Sequence, residues 1–161
     1  SGVFSAVPSG KRPELQPGVN IIPAHQVSQA ALNEYDSALF FTPRPVFLRS
    51  CLTQRGSAAL AAVRNGALAG YGVIRRCRSG WKIGPLFAEN ASAADLLLRS
   101  LAGYANGEEV FLDMPAINAA AMELAANYNM TQVFDTARMY KGTAPALPLC
   151  KVFGVTTFEL G

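Results

Sequence analysis

Apolar positions change their period along this chain, and each change marks an element. Val19-Asn20-Ile21-Ile22 is a short run of strand character. Ser28 then stands as an N-cap before Ala31, Leu32, Tyr35, Ala38 and Leu39, whose spacing places them on one helical face. The segment Phe40-Phe41-Thr42-Pro43-Arg44-Pro45 ends that helix, because proline lacks a backbone donor and turns the residue before it away from helical geometry. A second helix is predicted over residues 46–54. Strand-like runs follow at 58–64, 68–77 and 81–87, separated by Asn65-Gly66 and Ser79-Gly80. Asn-Gly suits the positive φ that a two-residue hairpin requires, so these runs predict an antiparallel meander.

Ser92 with Asp95 three residues on reads as a capping box, and Ala94, Leu97, Leu101 and Tyr104 recur on one face until Asn106-Gly107 stops the helix. Residues 109–114 form an apolar run suited to a buried strand. Asn118 caps a further helix that runs to Tyr128, with Asn129 as a left-handed C-terminal residue. Alternation over 132–140 and 151–160 predicts two closing strands around a loop at 142–148. The order β-α-α-β-β-β-α-β-α-β-β describes an α/β (α+β) domain with a mixed, mostly antiparallel central sheet flanked by about four helices. Residues 1–18, rich in proline and glycine and without periodicity, read as a flexible lead-in to a single domain over 19–161.

The length of 161 residues suits one such domain. Hydrophobic residues make up 50% and charged residues 16%, which excludes charge-driven disorder. The net charge of +3 is spread without a block, so no nucleic-acid or membrane partner is announced, and a cytoplasmic location is expected. The same composition leaves apolar surface that a second domain or a homodimer would cover. Cys51, Cys77 and Cys150 show no CxxC spacing and read as buried free thiols. His25 is the only histidine, so no metal site is expected.

Four blocks in order, Tyr71-Gly72-Val73-Ile74-Arg75, Lys82-Ile83-Gly84-Pro85-Leu86-Phe87-Ala88, Thr136-Ala137-Arg138-Met139-Tyr140 and the ending from Phe153 to Gly161, are similar to the GNAT superfamily of acyl-CoA-dependent N-acyltransferases. They resemble most the GNAT-like domain that forms the C-terminal half of tandem-domain acetyltransferases. That resemblance implies N-acetylation of an amine on a small molecule or peptide with acetyl-CoA as donor, or else a catalytically weak module supporting a partner acetyltransferase domain. It also implies a gap between two diverging strands where the cofactor arm pairs with Ile83, Gly84, Pro85, Leu86 and Phe87. Proline cannot donate to a ladder, so Pro85 marks either that gap or an ordinary bulge.

By the same resemblance, the pyrophosphate rests on backbone N–H groups at the start of the third helix, at Asn90, Ala91, Ser92, Ala93 and Ala94. The family's glycine-bearing loop is here Ala88, Ala91 and Ala93, with Glu89 adding negative charge. Asn118, Ala121 and Leu124 match a further family pattern, which implies Asn118 as a cofactor contact and whose tyrosine acid is here replaced by Ala125. Tyr128, one turn on, then stands as the acid or as a core residue. Asp113, a carboxylate within an apolar strand, reads as the general base or as a residue bonded to a neighbouring loop. Arg75, Arg76, Arg78 and Lys82 read as a phosphate contact or a solvated edge. Tyr35, Phe41 and Arg44 fall on the connection that faces the acceptor and are candidate substrate residues or core.

Overall fold

A computed structural model describes residues 2–7, 17–40, 42–135 and 146–156. Its frame is the meander: β3 (Ser57–Arg64), β4 (Ala67–Arg76) and β5 (Trp81–Ala88) run antiparallel in sequence. Asn65 and Gly66 both take positive φ, as the tight turn between β3 and β4 demands. Ahead of the meander, β2 (Val19–Pro23) pairs with β3, and α1 (Gln29–Phe40) and α2 (Pro45–Thr53) follow. Ser28 Oγ accepts from Ala31 N at 3.2 Å, the expected cap, and Pro45 opens α2 where its missing N–H has no partner to lose.

After β5 come α3 (Ala91–Ala102), β6 (Val110–Met114), α4 (Ala119–Asn127), β7 (Thr131–Asp135) and the three-residue β8 (Val152–Gly154). The crossover through α3 makes β6 parallel to β5, as the β-α-β order requires. The sheet order is β2-β3-β4-β5-β6-β1-β7, where β1 is Gly2–Ala6, with β8 on β5. This is the mixed, mostly antiparallel sheet with four helices that the sequence describes.

The N-terminal reading is corrected. Gly2–Ala6 is a strand, β1, antiparallel to both β6 and β7 and lying between them. Its register partners, from Val110 to Asp135, lie more than a hundred residues away, so five residues beside a proline-rich stretch carry no local signal of it. The later parts of the two closing strands, the block from Thr136 to Tyr140 and residues 157–161, lie outside the described residues. Tyr104, expected on the apolar face of α3, is instead exposed in a single 3-10 turn, because that helix ends at Ala102.

Alternation along the strands divides the core in two. Leu60, Ala62, Leu86 and Leu112 face Leu97 and Leu101 of α3 and Leu124 of α4. Ala61, Tyr71 and Phe87 point the other way, onto Leu32 and Leu39 of α1 and Leu48 of α2. Side chains on successive strand residues alternate faces, so one sheet serves both helix layers. No helix among the described residues is long and apolar enough to cross a membrane.

Candidate functional site

The sheet opens beside β5. Parallel pairing with β6 covers only Trp81↔Val110, Lys82↔Phe111 and Ile83↔Leu112, although β5 continues to Ala88. On its other edge β5 stays on β4 with a register shift that sets Gly84 and Pro85 against Val73 alone. Pro85 thus sits in a bulge, where its missing donor breaks no ladder bond. Past Ile83 the two strands diverge, and the chain itself enters the gap. β8 pairs antiparallel with β5 through Leu86↔Gly154 and Phe87↔Val152. Val155 N donates to the Asp113 carbonyl of β6 at 2.8 Å. Val152 packs with the α1 and α2 core, and Phe153, fully buried, with the α3 and α4 core.

Asn118 is turned to the same segment. Its Oδ1 accepts from Ala121 N at 3.3 Å, capping α4, while Nδ2 donates to the carbonyls of Val152 at 2.9 Å and Cys150 at 3.3 Å. Ile83, Gly84, Pro85, Leu86 and Phe87 are all buried. An acyl-CoA arm paired along this edge of β5 would need the positions that β8 holds, so the group does not fit beside it.

At the head of α3 the cap is Asn90, not the Ser92 and Asp95 box. Asn90 Oδ1 accepts from Ala93 N at 2.9 Å, which satisfies the N3 amide and starts the helix at Ala91. Ala93 and Ala94 are fully buried. Ala91 and Ser92 are exposed and line a cleft of about 580 Å³ between α3 and α4, together with Asp95, Arg99, Glu123 and Tyr128. There the Tyr128 hydroxyl donates to Asp95 Oδ1 at 2.5 Å and accepts from Arg99 Nε, while Arg99 Nη2 pairs with Asp95 Oδ2 at 2.7 Å. Burial, then the hydrogen bond to Asp95 and its charge, pushes the Tyr128 phenol up to about 12. Ala125 is buried in α4.

Asp113 does not share that cleft. It is fully buried in β6 and its carboxylate is ion-paired with the Lys82 ammonium. Lys82 therefore belongs to the interior of this pair and not to a solvated cationic edge. Arg76 does lie in solvent, 2.6 Å from Glu108. Glu108 also accepts from Trp81 Nε1, and the Arg76 bond followed by the Trp81 bond holds its carboxyl below the usual range.

The α1 to α2 connection builds a buried polar knot. Arg44 donates from Nε and Nη2 to the two Asp36 oxygens at 2.7 and 2.8 Å, and from Nη2 to Thr156 Oγ1 at 3.3 Å. Tyr71 donates to Asp36 Oδ1 at 2.5 Å. The Arg44 guanidinium also lies over the Phe40 ring, 3.7 Å from its centroid. Burial, then the Asp36 charge, raises the Tyr71 phenol well above its usual value. Tyr35 donates to the Ala69 carbonyl at 3.3 Å, and burial followed by Glu89 raises its phenol too. Tyr35 and Arg44 are thus turned inward, and Phe41 lies outside the described residues.

Sequence reading missed Asp36 and Tyr71. A signal was available: Asp36 lies four residues after Leu32 and three before Leu39, inside the apolar stripe of α1, where a carboxylate requires a buried partner. Of the expected site residues, β5 and Asn118 meet at β8, Asp113 and Arg44 touch the residues just after it, at Val155 and Thr156, Ala91, Ser92 and Tyr128 meet at the α3 to α4 cleft, and Tyr35 lies apart. The thiols also divide: Cys51 is buried, Cys77 partly so and Cys150 exposed. No group of histidine, cysteine and carboxylate side chains suited to a metal occurs among the described residues.

The fold has relatives. The solved structure of a protein from Pyrococcus horikoshii assigned as an acetyltransferase superposes with a TM-score of 0.74 at 23% identity, covering 99% of this chain and 51% of that one. An aminoglycoside 6'-N-acetyltransferase from Acinetobacter baumannii superposes with a TM-score of 0.58 at 15% identity, over 79% of this chain and 100% of that one. In sequence, the chain is 26% identical over 145 residues to a holothin acyltransferase from Pseudoalteromonas sp. (strain SANK 73390), covering 89% of this chain and 49% of that protein. The chain thus spans about half the length of that relative and of the Pyrococcus protein. The profile described as an acetyltransferase (GNAT) domain matches residues 32–154. The chain belongs to the GNAT acetyltransferase family.

Proposed function

We propose that this chain serves acyl-CoA-dependent N-acylation of an amine on a small molecule or peptide, as one half of a protein about twice its length. The observation that carries this reading is the family match from residue 32 to 154, in a chain that spans about half the length of a relative named for acyl transfer. The relative named for holothin acylation and the structural neighbour named for aminoglycosides both support a small-molecule acceptor. The test is acyl transfer by the longest natural polypeptide that contains this chain. Incubation with acetyl-CoA and a panel of small amines should release free thiol with an acceptor-dependent rate. No thiol release above the hydrolytic background with any amine overturns the reading.

A second reading has its own observation. Val152–Gly154 lies on the edge of β5 where a cofactor arm would pair, and the tyrosine acid position is the buried Ala125. In this reading the domain is the supporting half, packing on a partner GNAT domain, or on a second copy of itself, that holds the acetyl-CoA. Separation of the two halves then abolishes transfer by this chain alone while the partner half retains cofactor binding.

A further inference from the structure

We infer that residues 152–156 are a built-in occupant of the β5 to β6 opening, seated so that this domain excludes an acyl-CoA arm. The inference rests on the family reading for what would otherwise enter the opening. The contacts themselves come from this chain.

Several features seat the segment. Its backbone extends the sheet on β5 at Leu86 and Phe87, and Val155 N bonds across to β6. Asn118 takes one of its carbonyls, that of Val152, and also the Cys150 carbonyl just ahead of it. The Thr156 hydroxyl accepts from Arg44, tying the far end to the buried knot of Asp36 and Tyr71. Finally, a glycine stands on each side of the contact, Gly84 in β5 and Gly154 in the segment. A Cβ on Gly84 would lie 2.5 Å from the Val155 carbonyl oxygen, and one on Gly154 would lie 2.6 Å from Leu112 Cδ1. The carbonyl oxygen that close to Gly84 admits no side chain there, whereas at Gly154 the nearest atom is the end of the Leu112 side chain, with Leu86 Cβ at 3.1 Å beside it. Phe153, buried among α3 and α4 residues, adds apolar anchorage that a mobile flap would not have.

The segment therefore acts as an intramolecular competitor. A ligand for this edge must first break the ladder bonds, the Asn118 bonds and the Phe153 packing, so its apparent affinity falls by the small fraction of molecules in which the segment is out.

The test reads amide exchange and cofactor binding on the same protein. In the wild-type chain, the amides of residues 152–155 should exchange as slowly as those of β5, with no change on adding millimolar acetyl-CoA and no heat in a calorimetric titration. Phe153→Ala and Gly154→Val should lose that protection and bind acetyl-CoA at least ~10-fold more tightly than wild type. Wild-type amides that exchange as in an unstructured peptide overturn the inference. So does wild-type binding of acetyl-CoA with protection intact, or loss of protection in both variants without any gain in binding. If neither variant folds by circular dichroism, the wild-type arms decide: slow exchange with no binding supports the inference, and any other combination contradicts it.

Discussion

Replacing Asp36 by alanine removes the centre of the polar knot. Three hydrogen bonds are lost together, two from Arg44 at 2.7 and 2.8 Å and one from Tyr71 at 2.5 Å. The Asp36 side chain is only 1% exposed and that of Arg44 10%, so water does not replace the carboxylate freely. Breaking a buried ion pair by deleting one partner leaves a desolvated charge, which costs about 3–5 kcal/mol. Tyr71→Phe removes one bond but leaves Asp36 with both Arg44 contacts, so its cost is that of one buried hydrogen bond, about 1–3 kcal/mol. Urea unfolding followed by far-ultraviolet circular dichroism measures both, with an unchanged m-value confirming that the midpoint shift is a stability change. Freed from Asp36, Arg44 also loses its hold on Thr156, so Asp36→Ala should speed exchange at residues 152–155 while Tyr71→Phe leaves it near wild type. The reasoning is refuted if Asp36→Ala costs under ~1 kcal/mol, or if Tyr71→Phe destabilises as much as Asp36→Ala.

Other expectations concern single groups. Tyr128 has a phenol held at about 12 against an ordinary value of 10.0, so the protonated native form is favoured, and its contribution is full below pH 10 and is lost as pH rises toward 12. Stability measured across that range should therefore fall less steeply in Tyr128→Phe than in wild type; equal slopes would remove the assigned bond to Asp95. Asn118→Ala loses both the α4 cap and the grip on β8, and should cost more than the ~0.5–2 kcal/mol of a cap alone, whereas Asn90→Ala at α3 should stay within that range. Phe153→Ala should destabilise by about 3–5 kcal/mol, as emptying a buried aromatic site does, and a cost under ~1 kcal/mol would mean the side chain is not packed as described. Asp113→Ala leaves Lys82 facing the buried end of β6, so a larger loss at neutral pH than for the paired change Asp113→Leu with Lys82→Met is expected in chemical denaturation.

Most elements were legible because their signals are local. Asn65-Gly66 specifies its own turn, Ser28 and Asn118 cap their own helices, and the helical stripe of Leu97 and Leu101 is written within one segment. What the sequence hid is non-local. β1 gains its partners only when β6 and β7 are in place, and the position of β8 depends on a gap that exists only once β5 and β6 diverge. The site suffered most for this reason. Residues chosen for a cofactor, Gly84, Leu86, Phe87 and Asn118, do converge, but on another part of the same chain. Ser92 and Asn90 are both good caps two residues apart, and only the Asn90 to Ala93 bond singles out Asn90 as the cap of α3.

A crystal structure of this chain grown in millimolar acetyl-CoA tests the central claim most directly. The account predicts Val152–Gly154 paired with β5 at Leu86 and Phe87, and no pantetheine density between β5 and β6. Pantetheine density along that edge of β5, with residues 152–156 displaced, would contradict it.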